Sequence, residues 1–278
     1  MPELPEVETV RRTLEPYVLH DPICQVEVLY PRALQAVSPK EFCRALEGAS
    51  FEGIRRRGKY LLFDVSTGQV MVVHLRMTGR LVAYSGAVPL EKHTSAIFRF
   101  ASGGELRFVD QRKFGTIHLL PPGRLVEVRG LRELGPEPLG EGFTPEYLAG
   151  ALARRKAPIK SVLLDQSCIA GLGNIYADEA LFAAGIHPIR PAAELSPEEV
   201  GRLCAAIRSV LVDAVANQGT TFRDYRTGLG AEGSFQNKLQ VYGRKGQPCL
   251  KCGAVLRHLR IGGRTSVFCP NCQGGGEA

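Results

Sequence analysis

The sequence predicts an α+β protein with an antiparallel β-domain in its first half, helices after it, and a metal-binding segment near its carboxyl end. Three observations support this prediction. Short apolar or alternating runs lie between turn formers up to about residue 120, helix-start signals begin near residue 144, and two close cysteine pairs follow residue 248. A chain of 278 residues is long enough for two ordinary domains, or for a large one with a small appendix.

A helix is expected first, over residues 5–15. Pro5 suits its first turn, and the carboxylate of Glu6 suits the positive end of the helix dipole. Pro16 is expected to end it.

Strands are expected next, because apolar runs alternate with Gly, Pro and Ser breakers. Their number and spacing indicate an antiparallel β-sandwich or barrel, with one short helix near residues 39–47. The predicted strands are Cys24–Tyr30, Leu61–Val65, Val70–Leu75, Leu81–Tyr84, Ala96–Phe100, Leu106–Val109 and Thr116–Leu120.

Helices are expected after a linker at residues 134–140. Asn174 is expected to cap one that ends near Gly185, after a glycine-rich turn that could admit an anion or could be an ordinary turn. Residues 219–237 are expected to form a mobile surface loop. The other predicted helices begin at Thr144-Pro145, cover Ile159–Gln166, and run from the capping box at Ser196 to about Asn217. The predicted domains are residues 1–130, 131–237 and 238–278.

The composition excludes wholesale disorder and a membrane-spanning helix, because 44% of residues are hydrophobic without any run of roughly 20. The net charge is +7, and residues 238–264 contain seven Lys or Arg and no Asp or Glu. A second basic cluster is Arg55–Lys59. Such charge favours contact with a polyanion, although two solvated surfaces are the alternative. The acidic, proline-rich start lacks the pattern of a secretory signal, so we expect a cytosolic protein.

Four of the eight cysteines form a C-x2-C-x16-C-x2-C pattern. Two close pairs joined by a loop are typical of a tetrathiolate zinc site, and a redox or disulfide pair is the alternative. We expect one structural Zn²⁺, because four cysteines leave no open coordination position. The predicted ligands are Cys249, Cys252, Cys269 and Cys272.

The amino terminus has residues suited to covalent chemistry. Removal of Met1 would leave Pro2 with a secondary amine at the chain terminus. An α-amino group titrates at about 8 and a lysine at about 10.4, so the terminal amine has a far larger neutral, nucleophilic fraction at pH 7. Glu3 and Glu6 lie close enough in sequence to transfer a proton or stabilise charge. The alternative is that all three residues simply begin a helix.

Several segments occur together in one order along the chain: residues 1–12 (MPELPEVETVRR), 57–60 (RGKY), 74–79 (HLRMTG), 110–115 (DQRKFG), 171–177 (GLGNIYA), 241–244 (VYGR) and 262–273 (GGRTSVFCPNCQ). With these motifs, the whole chain resembles the formamidopyrimidine-DNA glycosylase family. The resemblance implies an amino-terminal β-sandwich, a helix–two-turns–helix domain and a zinc finger. It identifies residues 219–237 with a loop that caps the damaged base.

The resemblance implies specific catalytic residues. Pro2 matches the family's nucleophile, Glu3 its catalytic acid, and Glu6 a supporting carboxylate. Lys59 matches a lysine assigned to proton donation during β-elimination, although it could be a surface charge. Arg264 matches the finger arginine that holds a phosphate and takes part in δ-elimination; the two glycines before it suit a tight hairpin tip.

The resemblance also implies residues that bind DNA. An enzyme that acts on a base must flip it out of the stack and fill the gap. Met77, Arg112 and Phe114 match the residues that fill it, although core packing would be the ordinary explanation for Met77 and Phe114. Lys160 matches a lysine near the damaged nucleotide, or is a helix-surface charge. The remaining matches to DNA-contacting positions are His74, His93, Arg155 and Asn174.

The implied function is excision of oxidised purines from damaged double-stranded DNA, with strand cleavage by β,δ-elimination. A monomer in the bacterial cytoplasm, associated with the nucleoid and without a membrane partner, is expected. One alternative is an endonuclease VIII-type enzyme for oxidised pyrimidines. The other is a zinc-ribbon protein that binds nucleic acid and has no enzymatic activity.

Overall fold

The computed structural model describes residues 1–86 and 88–274, which form two compact units. The amino-terminal unit comprises the described residues of Met1–Arg132 and Asn217–Gln236, and the carboxyl-terminal unit comprises those of Glu133–Ala216 and Asn237–Ala278. Residues 275–278 of the expected last domain lie outside the described residues. Among the described residues, no helix has both the length and the apolar character needed to cross a membrane.

The amino-terminal unit contains a β-sandwich, as expected. Its four-stranded sheet has the order β1-β7-β8-β6, and its five-stranded sheet has the order β2-β9-β5-β4-β3. All pairs are antiparallel except β2 with β9. The elements are α1 (Leu4–Val18), β1 (Ile23–Val28), β2 (Leu34–Gln35), α2 (Pro39–Leu46), β3 (Phe51–Arg57), β4 (Tyr60–Val65), β5 (Val70–His74), β6 (Gly79–Tyr84), β7 (Thr94–Phe100), β8 (Glu105–Asp110), β9 (Thr116–Leu120) and α3 (Arg129–Arg132), with short 3-10 helices at Pro31–Ala33 and Pro122–Glu127.

The core of this unit lies between the two sheets. Phe51 of one sheet and Phe98 of the other are fully buried, with ring centroids 6.1 Å apart and an edge-to-face angle of 65°. Phe63 belongs to the same sheet as Phe51, and their ring centroids lie 5.0 Å apart. Aromatic pairs of this geometry stabilise a core beyond the area they bury.

The end of α1 and the existence of strand β3 were predicted wrongly. Helix α1 continues through Pro16 to Val18, because a proline in the last turn removes only one intrahelical hydrogen bond and Val18 is fully buried. Strand β3 was missed, because Gly53 and three successive arginines hide its pattern. Only Phe51 and Ile54 of this strand are buried, with an irregularity in the pairing between Phe51 and Gly53.

The carboxyl-terminal unit is helical and ends in a two-stranded sheet. The capping box at Ser196 is confirmed, since Glu199 N donates to Ser196 Oγ and Ser196 N to Glu199 Oε2. The second predicted helix ends earlier than Gln166, and the cap of the third is Gly173 rather than Asn174. The elements are α4 (Pro145–Leu152), α5 (Ile159–Leu163), α6 (Asn174–Ala184), α7 (Pro197–Ala216), β10 (Arg257–Ile261) and β11 (Arg264–Phe268), with 3-10 helices at Ala192–Glu194 and Phe235–Lys238.

Residues 217–236 belong to the amino-terminal unit. Thr220 N donates to Glu6 Oε1 at 2.7 Å, and Gly228 N donates to Thr13 Oγ1 at 2.8 Å. Tyr225 is buried in the core. The segment therefore has specific contacts with α1; the predicted division into three domains and the predicted mobility of this loop stay predictions.

Candidate functional site

The start of α1 holds Pro2, Glu3 and Glu6 in one buried cluster. Pro2 is buried, and Glu3 and Glu6 are 3% and 1% exposed. Glu3 N donates to Glu6 Oε2 at 2.7 Å, while the other oxygen of Glu6 accepts from Thr220 N. A Cβ on Gly219 would lie 2.7 Å from Glu6 Oε1, so the close approach requires glycine. Glu6 thus fixes the backbone of residue 3 and joins it to the segment 217–236.

Lys59 lies in the tight turn between β3 and β4 and is buried, so it is not an exposed surface charge. The turn is fixed to α1 through Arg56, which donates to Gly58 O at 3.1 Å and to Glu8 Oε2 at 3.1 Å. Burial alone would raise the pKa of Glu8, but hydrogen bonds from Arg11 and Arg12, with nearby guanidinium charge, lower it to about 2. The Glu8 cluster therefore joins the helix of Pro2 to the turn of Lys59.

His74 ends β5, directly before a turn that exposes Met77. Burial, with the positive charges of Arg76 and Lys59, lowers the pKa of His74 to about 3, so its ring is neutral near pH 7. His74 Nδ1 accepts from Arg76 N at 2.9 Å, which leaves the ring proton on Nε2. Met77 is 41% exposed, so it is not a core residue.

Arg112 and Phe114 lie together in the turn after β8. Phe114 is 53% exposed, and the guanidinium carbon of Arg112 lies 4.8 Å from its ring centroid. The residue between them, Lys113, has a φ of +57°, and Arg76 beside Met77 has a φ of +53°. Both turns thus place their exposed side chains by means of a left-handed residue that is not glycine.

His93 also has a positive φ and lines a cavity of about 300 Å³ in the amino-terminal unit. Thr78 and Gln111 contribute to its wall. The segment 217–236 contributes Arg223, Asp224 and Arg226. The cavity therefore brings His93 to the segment 217–236.

In the carboxyl-terminal unit, Lys160 and Asn174 hold the finger hairpin. Lys160 Nζ and Asn174 Nδ2 both donate to Thr265 O at 3.2 Å. Lys160 is fully buried and its ammonium lies 2.6 Å from Asp178 Oδ1. Asp178 Oδ2 in turn accepts from Val267 N at 3.1 Å. These helices are thus fixed to β11, and Lys160 is not a helix-surface charge.

Arg264 lies at the tip of the β10–β11 hairpin, where it is exposed. Gly262 and Gly263 have φ values of +55° and +76°, the backbone that a two-residue hairpin turn requires. Arg155 is partly exposed and pairs with Asp165 at 2.6 Å. A DNA contact by Arg155 would therefore compete with this ion pair.

The four predicted zinc ligands form one cluster. Their Sγ atoms all lie within 4.8 Å of one another, with 3.9 Å between Cys249 and Cys272 and 3.4 Å between Cys252 and Cys269. Four thiolates about 2.3 Å from one tetrahedral zinc ion would be about 3.8 Å apart, so the cluster fits one ion. Zinc would supply folding energy there and no chemistry, because no coordination position stays open.

Within each unit, the structure brings predicted residues together. Pro2, Glu3 and Glu6 form one cluster. Met77 lies in a turn beside the turn of Arg112 and Phe114. Lys160 and Asn174 both donate to Thr265, the residue after Arg264. Sequence reasoning missed Glu8, Asp110 and Asp178 as residues that hold these groups. The missed signal is a charged residue inside a buried run, as at Asp110, which ends the fully buried β8.

Three family models match the chain. They are the formamidopyrimidine-DNA glycosylase N-terminal domain at residues 1–117, the H2TH domain of the same enzyme at 134–226, and a zinc finger found in FPG and IleRS at 246–274. The chain is 54% identical over 260 residues to a formamidopyrimidine-DNA glycosylase of Moorella thermoacetica, covering 94% of this chain and 95% of the relative. It is 52% identical over 273 residues to that of Symbiobacterium thermophilum, covering 98% and 89%.

Solved structures agree with these matches. A point mutant of the Lactococcus lactis FPG in complex with DNA containing Fapy-dG has a TM-score of 0.92 and 38% identity, covering 99% of this chain and 100% of that one. The wild-type enzyme of that organism, bound to DNA containing an oxidised pyrimidine, has a TM-score of 0.91 and 38% identity, with the same coverage. The chain belongs to the formamidopyrimidine-DNA glycosylase family, whose members are base excision repair enzymes that act on oxidised bases in DNA.

Proposed function

We propose that the chain is a bifunctional DNA glycosylase and AP lyase that excises oxidised purines, such as 8-oxoguanine and formamidopyrimidines, from duplex DNA and then cleaves the strand. The observation that carries this proposal is the buried cluster at the start of α1, where Glu6 holds the backbone of Glu3 beside Pro2. Glu3 and Glu6 also form the capping box of α1. Their burial beside Pro2 places two carboxylates where the proposed reaction needs proton transfer and support of the nucleophile.

The proposed reaction begins with the secondary amine of Pro2 once Met1 is removed. Its nitrogen attacks C1′ of the damaged nucleotide, the glycosidic bond breaks, and the base leaves with a proton supplied by Glu3. Opening of the sugar ring leaves an iminium ion between Pro2 and the deoxyribose. Glu6 keeps the backbone of the nucleophile in place through its bond to Glu3 N.

Two eliminations follow from that iminium ion. Its positive charge acidifies the C2′ proton, whose removal expels the 3′ phosphate; a second elimination expels the 5′ phosphate, and water hydrolyses the remaining sugar from Pro2. We assign proton donation in the first elimination to Lys59 and the second step to Arg264, which also holds a phosphate. The result is a one-nucleotide gap.

Base flipping is assigned to the exposed side chains of the amino-terminal unit. Met77 and Phe114 would enter the stack, and Arg112 would bond the base left without a partner. His74 presents an Nε2–H, the group needed to donate to a phosphate. The cavity beside His93 lies under the loop that we propose closes over the flipped base.

The other phosphate contacts are assigned to the carboxyl-terminal unit. Asn174 is the first residue of α6, where free backbone N–H groups favour an anion. Arg155 is partly exposed and adds positive charge. Lys160 is buried against Thr265 O, so we propose that it affects the damaged nucleotide through the finger that carries Arg264.

The predicted segments divide this work along the chain. Residues 1–130 supply the nucleophile and the side chains that enter the base stack. Residues 131–237 supply the phosphate-binding helices and the capping loop, and residues 238–278 supply the finger. We infer a monomer with damaged double-stranded DNA as its partner and no membrane partner. The bacterial cytoplasm, at the nucleoid, is the compartment where such DNA lies.

Borohydride trapping tests the proposed chemistry. The wild-type chain should form a covalent complex with DNA that contains 8-oxoguanine or an abasic site, and both Pro2→Gly and a form that retains Met1 should form none. Asp64→Asn, at an exposed carboxylate paired with Arg55, is the matched control. Wild-type chain that cannot be trapped would instead support a zinc-ribbon protein without enzymatic activity.

An endonuclease VIII-type preference for oxidised pyrimidines is the second candidate. It is favoured by one observation, the oxidised-pyrimidine complex of the Lactococcus lactis relative. Single-turnover excision of 8-oxoguanine opposite cytosine should be faster than excision of thymine glycol in the same duplex. Faster excision of thymine glycol would overturn the purine assignment.

A further inference from the structure

A buried carboxylate joins the two turns that carry the exposed side chains of the amino-terminal unit. Asp110 ends β8 and is 1% exposed. Its Oδ1 accepts from Thr78 Oγ1 at 2.5 Å and from Arg112 N at 3.2 Å, and its Oδ2 accepts from Gly115 N at 2.7 Å. Thr78 Oγ1 also accepts from Arg112 N at 3.0 Å. The network thus reaches Thr78, next to Met77. It also reaches Arg112 and Gly115, which lie before and after Phe114 in the turn.

The partners of this carboxylate belong to the turns and not to the core. Residues Leu75–Gly79 form one turn, closed by a bond from Gly79 N to Leu75 O at 3.0 Å. Residues 111–115 form the other, in which Lys113 N donates to Asp110 O at 3.3 Å. A buried carboxylate that loses its donors is strongly destabilising, so the network holds the turns in one arrangement.

The turns also contain backbone that needs such support. Arg76 and Lys113 have positive φ, a conformation that is unfavourable in residues other than glycine and persists only when its surroundings hold it. At Gly115, a Cβ would meet the ring of Phe108, so this end of the turn is packed directly on the sandwich core. The exposed residues therefore stand on a rigid base.

We propose that Asp110 is a positioning residue that holds Met77, Arg112 and Phe114 as one preformed wedge for opening the base stack. This inference rests on the proposed function, because it assigns Asp110 to the base-flipping step of that reaction. A wedge assembled before binding avoids ordering two turns at the moment of insertion, when each loosened side chain would add an entropic cost. Asp110 acts through the turns and touches no reacting atom.

The test compares a step that needs flipping with one that does not. In single-turnover reactions, Asp110→Asn should slow excision of 8-oxoguanine from duplex DNA by about 100-fold, the scale expected when a group is misplaced by about 1 Å. Cleavage of single-stranded abasic DNA, which needs no wedge, should keep the wild-type rate. Fluorescence of 2-aminopurine next to the lesion should show the slower opening directly. Asp64→Asn should match wild type in all three measurements.

Thr78 gives a second, smaller perturbation that spares the carboxylate. Thr78→Val removes one hydroxyl donor at nearly constant volume and should slow duplex excision selectively, while Thr78→Ser should recover most of the rate. Asp110→Asn should add little further loss in a chain that already has Met77→Ala and Phe114→Ala, since coupled residues are not additive.

Three results with Asp110→Asn would each overturn the assignment of Asp110. They are an equal loss of rate on duplex and single-stranded substrates, an unchanged rate on duplex DNA, and full additivity with Met77→Ala and Phe114→Ala. Failure of the wild-type chain to cleave single-stranded abasic DNA would instead count against the proposed function itself. The two failures are therefore distinguishable.

Discussion

The wedge turns and the finger hairpin place exposed residues by different means. The wedge turns are held by hydrogen bonds from neutral donors to Asp110 and by packing on the sandwich core. The hairpin of Arg264 is fixed by a buried ion pair, an amide and four cysteines that suit a metal. One set of proposed DNA-contacting groups therefore depends on ordinary folding of a large core, whereas the other depends on a metal and on charge balance.

Metal removal should give the largest difference between the two regions. Zinc in a small finger supplies about 10–16 kcal/mol of apparent folding free energy, and this hairpin has few apolar residues of its own. Chelation, or Cys269→Ser, should abolish DNA binding and open the amides of β11 to hydrogen exchange. The amides of β4 and β5 should stay protected. Cys24→Ser, at an exposed cysteine outside the cluster, is the control.

Loss of β4 and β5 protection on chelation would contradict the claim that the sandwich does not depend on the metal.

Breaking the buried ion pair should come next. Lys160→Met leaves the carboxylate of Asp178 uncompensated and should lower the free energy of unfolding by about 3–5 kcal/mol, measured by urea denaturation. Burial already raises the pKa of Asp178, and loss of the ammonium should raise it further. The variant should therefore regain stability as the pH falls and Asp178 becomes protonated. A loss below about 1 kcal/mol would mean that the pair does not hold the finger.

The Glu8 cluster gives a pH-dependent prediction for the amino-terminal unit. The pKa of Glu8 is about 2 in the folded chain against 4.5 ordinarily, so its ionised form stabilises the fold. The free energy of unfolding should exceed that of Glu8→Gln by about 2–3 kcal/mol above pH 4.5. This excess should disappear as the pH falls through about 2. A difference that does not change with pH would show that Glu8 acts by packing and not by charge.

Arg155 should show the smallest effect. Its ion pair with Asp165 is partly exposed, so Arg155→Ala should change the free energy of unfolding by less than about 1 kcal/mol. DNA binding should weaken about equally on all sequences, and the slope of log K against log salt should fall by about 1 if the residue meets a phosphate. An unchanged slope would remove Arg155 from the DNA contacts.

The alternation of apolar residues and the helix caps predicted most of the fold, because these signals are local. Seven strands and the capping box at Ser196 were predicted close to their observed bounds. Strand β3 was missed, since its two buried residues are separated by Gly53, and Pro16 misled because local propensity ignores the burial of Val18. In both cases, burial in the tertiary structure outweighed the local sequence preference.

The residues of the candidate site were predicted from the family resemblance. The residues that hold them in place were not predicted. The resemblance implies roles for Met77, Arg112 and Lys160, but it does not show what holds them. Asp110 accepts from the hydroxyl of Thr78, 32 residues away, and Asp178 accepts from Val267 N, 89 residues away. No local pattern indicates such distant partners. Nothing in the sequence pattern indicated that Lys160 is entirely buried, since the partner that makes burial tolerable lies 18 residues away.

The most direct test of the account is identification of the residue bonded to deoxyribose. Borohydride-trapped complex should be digested and the modified peptide sequenced by mass spectrometry. We predict a chain that lacks Met1 and bears the sugar on the nitrogen of Pro2. A trapped sugar on a lysine, or strand cleavage at the full rate by chain that still begins with Met1, would contradict it.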